Sequence, residues 1–156
     1  AHIIHFPKPD YDAPNLKKIL LNDKKCKLFH FGRFDIAIIM HYLKIDFNNV
    51  YCTKIASRLT RTYTDMHGLK DLCHDLLGVK INKQQQTSDW GAETLSKEQI
   101  DYAAGDVLHL HRLKEELDKL LAREHRLEIA QKCFEFLPTR AKLDILGWPD
   151  LDIFQH

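Results

Sequence analysis

The sequence lacks several features that would assign it to a specialised class of protein. Its cysteines are few and widely spaced: Cys26, Cys52, Cys73 and Cys133. None of them forms a C-x-x-C pair, which argues against a disulfide scaffold and favours free thiols in the reducing cytoplasm. No apolar run approaches the roughly 20 residues that span a bilayer. A formal net charge of +1 excludes a surface coated in basic residues, although cations could still be gathered in one groove.

The composition is typical of a single globular domain of 156 residues. Hydrophobic residues make up 44% and charged residues 29%, a balance that favours a packed core over disorder. Three short apolar runs are predicted strands: HIIHF at 2–6, CKLFHF at 26–31 and VYCT at 50–53. Helical periodicity between the second and third runs predicts a helix at about 34–43, with Phe34, Ile38, Ile39 and Tyr42 on one face.

The second half of the chain is predicted to be helical. Ser96 is followed three residues later by Gln99, a capping-box spacing, and an apolar stripe then predicts one long helix to about Arg123. Gly78 lies where a helix C-terminal cap belongs. The other predicted helices cover about 15–21, 54–63, 68–77 and 126–137, the last interrupted by Pro138. Strands that alternate with helices and are followed by helices alone indicate an α/β front and an all-α back.

Two carboxylates and a phenol are the strongest candidates for chemistry. Tyr102 and Asp106 are four residues apart, so they share one face of a helix, and the residues between them are small. Asp35 lies where the apolar run CKLFHF gives way to a helix. Carboxylates on separate elements are the oxygen ligands that Mg²⁺ or Mn²⁺ prefers. The residues alone leave two other interpretations open: a Tyr–Asp pair on a solvated face, and an acid that stabilises a helix N-terminus.

Longer stretches around these residues carry a resemblance to a known family. The ribonuclease D family has two exonuclease motifs, its second and third, that resemble KLFHFGRFDIAII and LSKEQIDYAAGDVLHLHRL of this sequence. The family belongs to the DEDD superfamily of 3'-5' exonucleases and has a tyrosine in its third motif. The intervening TKIASRL and GLKDLCHDLLGVKINKQQQTSDW resemble the stretch that links those motifs. The resemblance runs from about Asn15 to about Lys119 and is dense, so it is far more specific than an isolated Y-x-x-x-D.

The resemblance implies a fold and a reaction. The fold would be an α/β, ribonuclease H-like 3'-5' exonuclease fold, with a mixed sheet flanked by helices and a helical C-terminal part. Two divalent cations, Mg²⁺ or Mn²⁺, would bind at Asp35 and Asp106, and Tyr102 would position the attacking water. The substrate would be the 3' end of single-stranded RNA. Two alternatives are a DNA exonuclease of the same superfamily and a non-catalytic module that binds RNA or protein.

The sequence departs from the family at one motif. The first motif, D-x-E on a central strand, supplies two further carboxylates and is absent here. We therefore expect residues 1–156 to form one exonuclease domain that is incomplete at its N-terminus, because the predicted strands would otherwise have an unpaired edge. Strand exchange with a second copy or a strand from a partner are the alternatives. About 30 residues follow the long helix, too few for the helical HRDC domain that often follows in the family.

Nucleic-acid contacts are predicted on two segments. Lys54, Arg58 and Arg61 recur at i, i+4 and i+7 on one predicted helix and could meet phosphates. The alternative is an ordinary solvated helix face. Near Asp35, the candidates for contact with the terminal nucleotide are His30, Phe31 and Arg33. Nothing in the sequence distinguishes RNA from DNA, because no residue can be assigned to a 2'-hydroxyl.

Overall fold

The computed structural model describes residues 1–6, 10–81 and 88–155, and this part of the chain contains seven helices and two strands. In chain order they are α1 (Pro14–Leu20), β1 (Lys27–Phe29), α2 (Arg33–Leu43), β2 (Val50–Cys52), α3 (Thr53–Thr60), α4 (Leu69–Leu77), α5 (Lys97–Leu108), α6 (Leu110–Arg123) and α7 (Leu127–Ile145). Among these residues no helix is both long and apolar enough to cross a membrane.

The two strands form a parallel pair with Leu28 opposite Tyr51. Each strand is followed at once by a helix, so α2 and α3 both start at the same edge of the pair. In α/β folds this carboxyl edge of a parallel sheet is where ligands bind. The described residues therefore contain a parallel pair where a mixed sheet was expected.

Helices cover this small sheet and build the core with it. α2 and α3 follow the strands, α6 packs against α3 and α4, and α7 packs against α2 and β2. Side chains with no exposed surface, such as Ile36 of α2, Leu72 of α4 and Leu113 of α6, meet in one cluster. The ring of Tyr51 stacks on Phe134 of α7 with centroids 4.4 Å apart, which joins the sheet to the last helix.

The long helix predicted from Ser96 to Arg123 is two helices. The capping box at its start is present, but the chain turns at His109, where α5 ends and α6 begins. α6 buries a leucine stripe, whereas the only buried residue of α5 is Gln99. Core packing therefore fixes the direction of α6 but not that of α5, so the two need not form one continuous helix.

The last helix is also different from the prediction. α7 is a single helix that continues through Pro138. An interior proline removes one backbone hydrogen bond and costs an isolated helix about 3 kcal/mol. Pro138 and its neighbour Leu137 are buried in the core, so packing offsets that cost and the helix continues.

Two further predictions near the N-terminus were wrong. HIIHF at 2–6 has no strand partner and is not a strand in the structure. The predicted apolar face of α2 is largely exposed, with Phe34 at 70% exposure, whereas Ile36 and Met40 face the core. α2 is apolar on most sides, so its periodicity does not define which side is buried.

Candidate active site

A cleft of about 580 Å³ opens at the carboxyl end of β1. Its polar lining residues are His30, Asp35, Lys70, Tyr102 and Asp106. Leucine, isoleucine, valine and phenylalanine side chains from β1, α2, α4, α5 and α6 line the rest of it. The three residues predicted to carry chemistry therefore lie in one cavity, although 66 residues lie between Asp35 and Tyr102 in the sequence.

Asp35 and Asp106 are close enough to influence each other electrostatically. The pKa of Asp35 is raised because the surrounding protein removes water from its carboxylate, and a hydrogen bond from its own backbone N–H offsets this only in part. Burial also raises the pKa of Asp106, and the negative charge of Asp35 raises it further. Two carboxylates that share a partly dehydrated cleft repel each other unless a cation or a proton lies between them.

The raised pKa values of these two carboxylates predict an unusual dependence of stability on pH. A carboxylate whose pKa is raised by folding binds protons more tightly in the folded protein, so its contribution to stability is largest at low pH and is lost as the pH rises through the folded pKa. We expect Asp106→Asn to remove that loss. With the metal removed by a chelator, the variant should therefore become more stable relative to the wild type as the pH rises from 4.5 to 7. The quantity compared is the free energy of unfolding. Parallel curves from urea unfolding at each pH would contradict the raised pKa of Asp106.

Tyr102 lies on the same face of α5 as Asp106, one helical turn earlier. The side chain is half-buried, and its pKa is raised by burial and by the charge of Asp106. The phenol therefore keeps its proton at neutral pH and can both donate and accept a hydrogen bond. This arrangement suits a group that holds a water molecule beside a carboxylate.

His30 lines the cleft immediately after β1, and Phe31 is the next residue of the chain. His30 Nδ1 is 2.9 Å from Thr53 Oγ1, and burial together with the Lys54 ammonium lowers the His30 pKa to about 4, so the ring is neutral at physiological pH. Phe31 has a φ of 61° and is 57% exposed. A left-handed backbone is strained for an aromatic residue. The ammonium of Lys54 lies 3.7 Å from the centre of its ring.

The structure gives Arg33 a different set of contacts from the one predicted. Its guanidinium donates two hydrogen bonds of 2.7 Å to the carboxylate of Asp144 and another to the Pro149 carbonyl. Arg140 also donates to Asp144, at 2.6 Å. These contacts join the first turn of α2, which carries Asp35, to the end of α7.

Arg61 also differs from its predicted role. Only 3% of it is exposed, and its guanidinium donates to the Met66 carbonyl at 2.8 Å and to the carboxylate of Asp75. A guanidinium buried in this way is not available to a phosphate. Arg58, three residues earlier, is exposed, so the predicted basic stripe is reduced to Lys54 and Arg58.

Two further residues lie at the site: the sequence analysis missed Lys70, and for Trp90, in the loop before the third motif, it favours a structural role over base stacking. Lys70 at the start of α4 lines the cleft, and no hydrogen bond or ion pair holds its ammonium within the described residues. Nothing in the sequence separates it from other exposed lysines. Trp90 lies beside Tyr102, with ring centroids 6.0 Å apart. Its place between two segments of irregular sequence gave no periodicity from which this contact could be predicted.

Comparison with known proteins shows the family of the chain. A family model described as 3'-5' exonuclease matches residues 1–122. The chain belongs to this 3'-5' exonuclease family. Ribonuclease D of Gluconacetobacter diazotrophicus is similar to this exonuclease chain, with 33% identity over 120 residues that cover 77% of the chain. The chain spans about 30% of the length of that relative.

Solved structures give the same family and the same fold. NrnC of Brucella melitensis is 56% identical, with a TM-score of 0.91 over 93% of this exonuclease chain and 70% of the NrnC chain. Two further structures of that protein hold Mg²⁺ and pGG, at TM-scores of 0.89 and 0.90. Ribonuclease D of Escherichia coli, at 23% identity and a TM-score of 0.73, shares the fold. The predicted family and the ribonuclease H-like α/β fold are confirmed.

Proposed function

We propose that the protein is a metal-dependent 3'-5' exoribonuclease that removes nucleoside 5'-monophosphates from the 3' ends of RNA, with residues 1–156 belonging to one exonuclease domain. The observation that carries the proposal is the meeting of Asp35, Tyr102 and Asp106 in one cleft at the carboxyl edge of the sheet. The ribonuclease D relatives and the pGG bound to NrnC favour RNA as the substrate.

The residues of the cleft fit a divalent cation. Asp35 and Asp106 offer hard oxygen ligands, and their pKa values are raised mainly by burial, with the charge of Asp35 adding to the shift at Asp106. A bound Mg²⁺ or Mn²⁺ would stabilise both carboxylates in their charged form. Among the described residues no group of three or more histidine, cysteine, aspartate or glutamate side chains could hold a metal by itself. We therefore assign these two carboxylates to the family's two-metal site as part of its ligand set. When bound, the cations would stabilise the charge that develops on the phosphate.

Other residues of the cleft would act on the water and the nucleotide. The protonated hydroxyl of Tyr102 would hold the water that attacks phosphorus in line with the leaving 3'-oxygen. The water oxygen would form a bond to phosphorus and give up a proton to solvent while the phosphorus–O3' bond breaks. The 3'-oxygen would take up a proton, and the terminal nucleotide would leave as a 5'-monophosphate. Neutral His30 can donate or accept a hydrogen bond with that nucleotide, and the exposed ring of Phe31 offers a face on which a base can stack. The cations of Lys54 and Arg58 lie on the adjacent α3 and could meet phosphates further along the strand.

A cleavage assay on a 5'-labelled single-stranded RNA tests the proposal. With Mn²⁺ or Mg²⁺ we expect a ladder of products shortened from the 3' end one nucleotide at a time, and chelation with EDTA should abolish it. An RNA blocked by a 3'-phosphate is the substrate control. Internal cleavage, or a ladder that persists in EDTA, would contradict the proposal. A matched DNA cleaved as fast as the RNA would favour the alternative of a DNA exonuclease.

A further inference from the structure

The side chain of Gln99 makes more contacts than a helix cap needs. Its Oε1 accepts from the backbone N–H of Ser96 at 2.8 Å, and its own backbone N–H donates to Ser96 Oγ at 3.2 Å, which completes the capping box of α5. Its Nε2 also donates to Ser88 Oγ at 3.1 Å and to the carbonyl of Asp89 at 2.8 Å. Gln99 is only 6% exposed, so its side of each bond is buried. The amide thus joins the 88–90 segment to the first turn of α5.

The segment held by Gln99 leads directly to Trp90. Asp89 Oδ1 accepts from the N–H of Gly91 at 2.9 Å, which closes a tight turn around the tryptophan. The ring of Trp90 then lies against the ring of Tyr102 at a tilt of 45°. Tyr102 is one helical turn beyond Gln99, so the amide and the phenol are on the same side of α5 and the segment passes over both.

We propose that Gln99 and Trp90 are positioning residues for Tyr102: Gln99 fixes the 88–90 segment on α5, and the indole of Trp90 then restricts the phenol to one rotamer at the cleft. The inference rests on the proposed function, because it gives Tyr102 its purpose. A side chain that must hold a water in line with a phosphate gains from such restriction, since a misplacement of about 1 Å can cost roughly 10²-fold in rate.

One substitution separates this role from helix capping. Gln99→Glu keeps an acceptor for the Ser96 N–H, and glutamate is itself a standard capping-box residue. The carboxylate cannot donate to the Asp89 carbonyl, which it repels, and it can meet Ser88 Oγ only if the hydroxyl becomes the donor. Gln99→Glu should therefore loosen the segment at Asp89 and leave the cap in place. Ser96→Ala is the matched control, because it weakens the cap and leaves both donations from Gln99 Nε2 intact.

Tryptophan fluorescence reads the position of Trp90 without any cleavage. The chain has two tryptophans, so Trp148→Phe leaves Trp90 as the single reporter. In that background we expect Gln99→Glu to shift the emission to longer wavelength and to increase quenching by acrylamide, whereas Ser96→Ala should match its parent. An unchanged emission in Gln99→Glu, or an equal shift in Ser96→Ala, would overturn the inference.

Kinetics then test the effect on Tyr102. Gln99→Glu and Trp90→Ala should each lower kcat roughly tenfold with little change in KM, an effect on positioning that we place below the 10²-fold limit, and Trp90→Phe should restore most of the loss. Equal kcat values in Trp90→Ala and the wild type would refute the role of Trp90. A wild-type protein that does not cleave RNA would instead refute the proposed function, and the fluorescence result would still decide whether Gln99 holds the segment.

Discussion

Asp106→Asn is expected to reduce the rate of RNA cleavage by roughly 10³-fold or more at saturating Mg²⁺, because the loss of one carboxylate from a metal site forfeits several kcal/mol of charge stabilisation and each 1.36 kcal/mol is a factor of ten. The amide preserves the size and shape of the side chain, so the fold should be unaffected. Without the second negative charge in the cleft, the metal-free variant should be at least as stable as the wild type at pH 7. Single-turnover cleavage and thermal unfolding of the same samples measure the two effects.

Asp101→Asn provides the matched control. Asp101 lies on the same helix, is exposed, and has no hydrogen bond or ion pair among the described residues. The same chemical change there should leave both the rate and the unfolding temperature near their wild-type values. If Asp106→Asn retained the wild-type rate, a catalytic metal site at Asp106 would be untenable. If both variants lost activity, the loss would reflect a general sensitivity of α5 to substitution.

The positions of the candidate residues in their helices could be predicted from the sequence because local rules determine them. The spacing of Tyr102 and Asp106 places both on one helix face wherever α5 ends, and the capping box of Ser96 and Gln99 fixes where that helix begins. Gly78 caps α4 with a φ of 67°, as its position after the last apolar residue predicts. The boundary between a strand and a helix located Asp35, and its metal-binding role came from the resemblance to the ribonuclease D family. None of these inferences depends on how distant elements pack.

The errors have the opposite origin, because each depends on tertiary contacts. α2 has apolar residues on most sides, and only the packing of α7 against it decides that Ile36 and Met40 are buried while Phe34 is exposed. The turn at His109 follows from the different packing of α5 and α6. α7 passes through Pro138 because the core on one side of the helix outweighs a missing hydrogen bond. A pattern of spacing contains no information about which neighbour a helix will meet.

The contacts of basic residues are the hardest part of the site to predict in this way. Lys54, Arg58 and Arg61 have equivalent spacing, but α3 turns them toward different surroundings. Lys54 lies over the ring of Phe31, Arg58 is exposed, and Arg61 is buried against Asp75. The charge of a residue is evident from its sequence, whereas its partner depends on the helices and loops that pack around it. Two of these three residues therefore remain candidates for phosphate contact.

At the end of α3, we expect Arg61→Ala to affect mainly the stability of the fold and Arg58→Ala to affect mainly the binding of RNA. Arg61→Ala should lower the free energy of unfolding by about 2–3 kcal/mol, because it removes charge-assisted hydrogen bonds to the Met66 carbonyl and to Asp75 and leaves a cavity in their place. Arg58→Ala should leave stability within about 0.5 kcal/mol of the wild type, as exposed substitutions usually do.

RNA affinity should depend on Arg58 and not on Arg61. Arg58→Ala should reduce the slope of log affinity against log salt by about one, the value for one lost phosphate contact, and Arg61→Ala should leave the slope unchanged. Urea unfolding and fluorescence anisotropy with a labelled RNA over a salt series measure the two quantities. A reduced slope in Arg61→Ala would mean that its guanidinium leaves the buried site to meet a phosphate. The side chain would then serve binding in one state and the fold in the other.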